Sequence, residues 1–129
     1  MSTSFKYHKY RQTINLEDND LVWNFFLKNQ FDQIVCLDVL EHLTKQTAIN
    51  LLKEISMFSV HSYLTIANHT DVQEINNKKQ DVHLIQKSYD WWENILHSYF
   101  YILRKKELYN GLSCYYFLKS INNGPQILI

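Results

Sequence analysis

Apolar positions in this chain fall into runs with two different periods, and their order predicts an α/β domain. Asp18, Asn19 or Asp20 can cap a helix whose Leu21, Val22, Phe25 and Phe26 share one face. Phe31 to Leu37 (Phe-Asp-Gln-Ile-Val-Cys-Leu) is nearly continuous in apolar character and predicts a strand buried on both faces. Thr44 can cap a second helix reaching about Phe58. Its Ala48, Leu51, Leu52, Ile55 and Phe58 recur at three- and four-residue steps, with Lys45, Gln46, Asn50, Lys53 and Glu54 mostly opposite. Ser62 to Ala67 follows as a strand ending at Asn68-His69-Thr70, and this strand–helix–strand unit implies a right-handed crossover between parallel strands.

Asp71 to Asp81 is polar and aperiodic, and reads as a loop. Ser88 then caps a helix with Asp90 in its first turn and Trp92, Ile95, Leu96 and Tyr99 on the buried side. Phe100 to Lys106 and Leu112 to Lys119 flank Asn110-Gly111, a hairpin signal. At the front, Arg11 to Leu16 predicts a short strand preceded by a polar arm, residues 1–10. Residues 120–129 form a tail holding Pro125. The expected architecture is one domain over residues 1–129. Its sheet is mostly parallel, with a C-terminal antiparallel hairpin and helices on both faces.

Composition narrows the functional classes. Hydrophobic residues make up 46% and aromatics 15%, enough for a packed core. The 13 basic and 13 acidic residues cancel, so nucleic acid and anionic membrane are not expected partners. The first twelve residues are too polar for a signal peptide and no apolar run spans a bilayer, so a cytoplasmic location is expected. Cys36 and Cys114 sit in apolar runs and read as buried free thiols.

Phe31 to Leu43 carries the most specific wording, Phe-Asp-x-Ile-x-Cys-x-Asp-Val-Leu-Glu-His-Leu. It resembles the fourth strand of class I S-adenosylmethionine-dependent methyltransferases and the residues after it. Asp81-Val82-His83-Leu84 with Lys87-Ser88 and Trp91-Trp92 is similar to a stretch late in small-substrate members. Arg11 to Leu16 resembles the strand before the motif, with Asn15 where that strand has aspartate. The resemblance covers about residues 10–119. It implies a partial Rossmann-like sheet, an S-adenosylmethionine cofactor and a small-molecule substrate. The chain departs from the family in one decisive way: its 2 glycines, Gly111 and Gly124, lie too late to form the glycine-rich loop that holds the cofactor. The resemblance therefore implies a truncated form, without the N-terminal half.

Two functional classes follow. One is a methyltransferase completed by self-association or by a separate front half. The other is a non-enzymatic module, a pseudoenzyme that binds a partner protein. Both use the edge of Phe31–Leu37, which lacks the strand that flanks it in the full fold and invites pairing. Either Arg11–Leu16 folds into the vacant slot or a second chain covers the edge, and a homodimer through it is the preferred assembly.

By the same resemblance, Leu37, Asp38 and Glu41 are the candidate cofactor contacts, and His42 and His83 the candidate catalytic bases. The bland reading has Asp38 capping a turn and His42 bonding to backbone. The strand order also brings His42, His69 and His83 towards one end of the sheet, a potential zinc set with Glu41 as base. No H-E-x-x-H or C-x-x-C spacing accompanies them, and no metal is assigned. Trp92 is expected in the core, Trp91 at a pocket or interface, and Arg104-Lys105-Lys106 at a solvated strand end.

Overall fold

The computed structural model describes residues 15–28 and 31–121. Three helices and six strands follow one another: α1 (Asn19–Lys28), β1 (Phe31–Leu37), α2 (Lys45–Phe58), β2 (Ser59–Ala67), β3 (Val72–Ile75), β4 (Lys78–Asp81), α3 (Tyr89–Tyr99), β5 (Phe100–Leu108) and β6 (Ser113–Ser120). A short 3-10 turn, Leu40–His42, links β1 to α2. The arm, most of the Arg11–Leu16 strand and most of the tail lie outside the described residues; Leu16 itself is in a turn.

The helix starts form for the reasons the sequence gives. Thr44 and Ser88 accept hydrogen bonds from the backbone N–H of Thr47 and Trp91, satisfying donors that a helix leaves open. Asp18 does the same for Leu21. Glu17 adds a tertiary clasp, accepting from Thr44 N and from the hydroxyls of Thr44 and Thr47. These bonds, the Thr44 backbone first, hold the Glu17 carboxyl below its ordinary value.

The main sheet runs β1-β2-β6-β5. β1 and β2 are parallel, and β6 lies antiparallel to both β2 and β5. The last strand is therefore inserted between its two predecessors in the sheet. Tyr109, Asn110 and Gly111 all take positive φ in the β5–β6 turn, which explains the Asn-Gly pair there.

Three expectations need correction. Asp71–Asp81 is not a plain loop, because β3 and β4 pair as a two-stranded antiparallel hairpin. Asn76 and Asn77 supply the two positive-φ positions of its turn. The strands escape a periodicity reading because nearly every residue in them faces solvent. Second, β1 is not buried on both faces: Val35 is 60% and Leu37 53% exposed. Among the described residues it pairs with β2 alone, so it is an edge strand.

Third, the described helices share one side of the sheet. Residues of α1, α2 and α3 join Leu64, Ile66, Cys114, Tyr116 and Leu118 in a single core. The reason is handedness. β1–α2–β2 and β2–α3–β5 advance across the sheet in the same direction, and right-handed crossovers with one direction of travel put their helices on one face. A second helical layer needs the direction to reverse.

Candidate functional site

β1 ends at Asp38, which adopts φ 55°. Its N–H is shared between Thr65 O at 3.1 Å and Thr65 Oγ1 at 2.9 Å. The Thr65 hydroxyl donates back to Asp38 Oδ1 at 2.9 Å. This mutual grip holds a non-glycine residue in a left-handed conformation at the carboxyl end of two parallel strands. Leu37, just before it, remains half exposed.

The 3-10 turn that follows is anchored from beneath. Leu40 and Glu41 are both fully buried. Glu41 Oε1 accepts the Ala67 N–H at 2.7 Å, and the Glu41 carbonyl accepts the Ile85 N–H at 3.1 Å. Glu41 Oε2 is buried without a hydrogen-bond partner among the described residues. Burial pushes this carboxyl above its ordinary value, against the lowering effect of the Ala67 N–H. Glu41 thus points into the protein and holds the turn in place, with its carboxylate away from the cleft.

His42 emerges from that turn with Nδ1 3.0 Å from Val82 O. His83 is buried, with Nδ1 in contact with His69 O at 2.5 Å. A carbonyl oxygen only accepts, so in each ring Nδ1 is the donor, and in the neutral form of each ring the lone pair is on Nε2. The His42 and His83 rings meet edge to face at 4.6 Å between centroids, and the His69 and His83 rings do so at 4.9 Å.

Asp81 fastens the base of the β3–β4 hairpin here. Its Oδ1 accepts the N–H groups of Asp71 and His83, each at 3.1 Å. The Asp71 N–H is the larger of several bonds that hold this carboxyl below its ordinary range. Asp71 Oδ2 sits 3.8 Å from His83 Nε2.

These residues line a cleft of about 320 Å³, bounded by Asp38, His42, Ala67, His69, Asp71, His83, Tyr109, Leu112 and Ser113. The structure thus gathers Asp38, His42 and His83 from the sequence candidates. It leaves Leu37 beside the rim residue Asp38 and turns Glu41 inward. Asp71, Thr65 and Tyr109 were not legible as site residues. Asp71 is brought in only by the hairpin, and that hairpin carries no apolar alternation to announce it.

Of the other residues singled out, Trp92 is fully buried. Trp91 is half-buried beside Thr44, Lys45, Leu84 and Lys87 at a second cavity of about 300 Å³, with Lys45 Nζ 5.7 Å from its ring centre. Both cysteines are free. Burial pushes the Cys36 thiol up to about 12, so it is no nucleophile at neutral pH. Arg104, Lys105 and Lys106 are exposed, and Lys105 pairs with Glu93 at 2.7 Å.

No protein-family profile matches the chain, and no curated protein matches it. Among solved structures it is similar to the PH0226 protein from Pyrococcus horikoshii OT3, with a TM-score of 0.57 at 12% identity over 69% of this chain. It spans about half, 51%, of that chain. At such low identity the likeness concerns the fold alone. It places the chain among mixed α/β proteins whose sheet is compatible with a Rossmann-like arrangement. No helix among the described residues is long and apolar enough to cross a membrane.

Proposed function

We propose that this chain is a class I methyltransferase-like domain that builds its S-adenosylmethionine cleft only when association extends the sheet beyond β1. The observation that carries this is the strand order. Two parallel strands are followed by a last strand inserted antiparallel beside the second, as the resemblance of Phe31–Leu43 implies. In a doubly wound sheet, ligands bind outside the carboxyl ends of strands where the direction of winding reverses. Among the described residues the winding is all one way, so in this reading the reversal falls at the outer edge of β1, beside Asp38.

In this reading Leu37 and Asp38 border the cofactor and Glu41 supports them from within. His42 or His83, both of which line the cleft, accepts at Nε2 the proton that a small-molecule nucleophile loses on methylation. The partner is a second copy of the chain, docked along the β1 edge. The competing class is a non-catalytic module that binds a different protein through the same edge. It is supported by the glycine positions: Gly111 and Gly124 both lie after the Phe31–Leu37 strand, where the family's glycine-rich loop does not fall.

Calorimetric titration with S-adenosylhomocysteine, with light scattering in the same buffer, separates them. Micromolar binding by an oligomer supports the assembled enzyme, at roughly −8 kcal/mol. An oligomer that does not bind at millimolar ligand moves the function to protein partnership. A monomer at tens of micromolar removes the self-association that both the cleft and the dimer require.

A further inference from the structure

We propose that His42, Asp71 and His83 form a binding site for a divalent transition metal ion, of the class represented by zinc. The ligand atoms these three side chains offer all lie within 4.8 Å of one another. Two imidazole nitrogens and one carboxylate oxygen are the borderline donors such ions prefer. The set is also the two-histidine, one-carboxylate arrangement that leaves coordination positions open on one side.

Preorganisation argues for the site more strongly than proximity does. A ligating histidine normally donates its other ring N–H to a fixed acceptor, which sets the tautomer and aims the free nitrogen. Both histidines do this here: His42 Nδ1 contacts Val82 O at 3.0 Å and His83 Nδ1 contacts His69 O. The His83 Nε2 to Asp71 Oδ2 distance, 3.8 Å, is too long for a hydrogen bond. Two tetrahedral ligands at roughly 2.0–2.1 Å from one ion lie about 3.4 Å apart, so the pair would close by a few tenths of an ångström on binding. The cluster therefore lacks the short imidazole–carboxylate bond expected of a purely structural pair. Asp71 Oδ2, the oxygen nearest His83, also accepts from Gln73 Nε2 at 3.2 Å, a bond the ion would share or displace.

The three ligands come from different segments. His42 lies on the 3-10 turn after β1, Asp71 just before β3, and His83 just after β4. A bound ion would cross-link both strand bases of the solvent-exposed hairpin to that turn. Its open positions face the cleft of about 320 Å³, so it can present a water molecule or polarise an oxygen of a small molecule entering there. The inference does not depend on the methyltransferase reading and needs no S-adenosylmethionine for its test.

Titration of the full chain with cobalt(II) should give one equivalent bound, with visible absorption in the low-symmetry range, and zinc should displace it. Asp71→Asn and His42→Ala each should weaken binding by about ten- to hundredfold, and both alter partly exposed side chains outside the hydrophobic core. A His61→Ala, His97→Ala double variant should bind as the parent does. Amide exchange across Val72–Asp81 should slow when zinc is added. Absence of uptake at millimolar cobalt overturns the proposal. So does binding that survives the Asp71→Asn, His42→Ala double substitution, binding lost in the control variant, or hairpin exchange unaffected by the ion.

Discussion

Both faces of the main sheet carry large apolar and aromatic side chains, mixed on one of them with polar and basic ones, and the two have opposite fates. On the helix-covered face Leu64, Ile66, Cys114, Tyr116 and Leu118 are completely buried. On the other, Tyr63 stacks on Phe117 at 4.7 Å and on Tyr115 at 6.3 Å, and His61 stacks on Phe117 at 5.4 Å. Those rings remain half-buried, and Val35 and Leu37 are largely in water beside them. Burying one such side chain contributes roughly 1.5–3 kcal/mol. The covered face therefore carries the stability of the described residues. The other carries an apolar surface of the kind that marks an interaction site. Its exposed end is also the edge of β1 that no described residue pairs with, so one association could cover both.

Substitution at the centre of the covered side should have the largest effect. Trp92 is fully buried and belongs to the core shared by the three helices and the sheet. Trp92→Ala removes an indole whose space its neighbours cannot refill, and should cost about 3–5 kcal/mol. The urea midpoint should fall without a large change in slope. A loss below about 1 kcal/mol would mean the covered face is not the source of stability.

Glu41 tests the link between that face and the cleft. Glu41→Ala leaves the buried Ala67 N–H without its acceptor and should cost about 1–3 kcal/mol. Glu41→Gln keeps an acceptor for Ala67 and should stay within about 1 kcal/mol of the parent. The two also differ in pH dependence. The folded carboxyl titrates above its ordinary 4.5 because of burial. Well below 4.5 both the folded and unfolded forms are protonated and the native state bears no penalty. As pH rises from there through the folded value, the unfolded chain releases its proton first and stability declines. Glu54, also raised by burial, contributes with the same sign. Chemical denaturation between pH 4 and 8 should show a decline in the parent that is reduced in Glu41→Gln; an identical decline in both would place the penalty elsewhere.

Much of the architecture was legible because it depends on local rules. Thr44 and Ser88 mark helix starts through their own hydroxyls, and Asn110-Gly111 marks a turn through its backbone freedom. Apolar spacing identified the faces of α2 and α3. What escaped depends on neighbours. The apolar run of β1 reads as doubly buried, yet burial is decided by what lies beside the strand. The β3–β4 hairpin was invisible because its residues face water on both sides and leave no pattern. The site was half legible for the same reason. Asp38 and His42 adjoin a recognisable strand and His83 a recognisable motif, whereas Asp71 joins them only through the hairpin, and the inward turn of Glu41 depends on Ala67, twenty-six residues on.

The smallest expected effect is the sharpest test of the comparison. Val35 and Leu37 are as apolar as Leu64 and Ile66 and lie in the adjoining parallel strand, so sequence alone ranks them equally. At 60% and 53% exposed they have little surface left to lose in the isolated chain. A Val35→Ser, Leu37→Ser double variant should therefore change the stability of dilute protein by no more than about 0.5 kcal/mol per site. In concentrated solution the same variant should abolish the proposed self-association, because both removed side chains lie on the strand whose edge that proposal uses. Urea unfolding and light scattering on one sample set measure the two effects together. A stability loss of the Trp92 size in dilute protein would show that something already covers this face and would erase the distinction between the two sides. Unchanged association with unchanged stability would keep the distinction and move the partner surface away from β1.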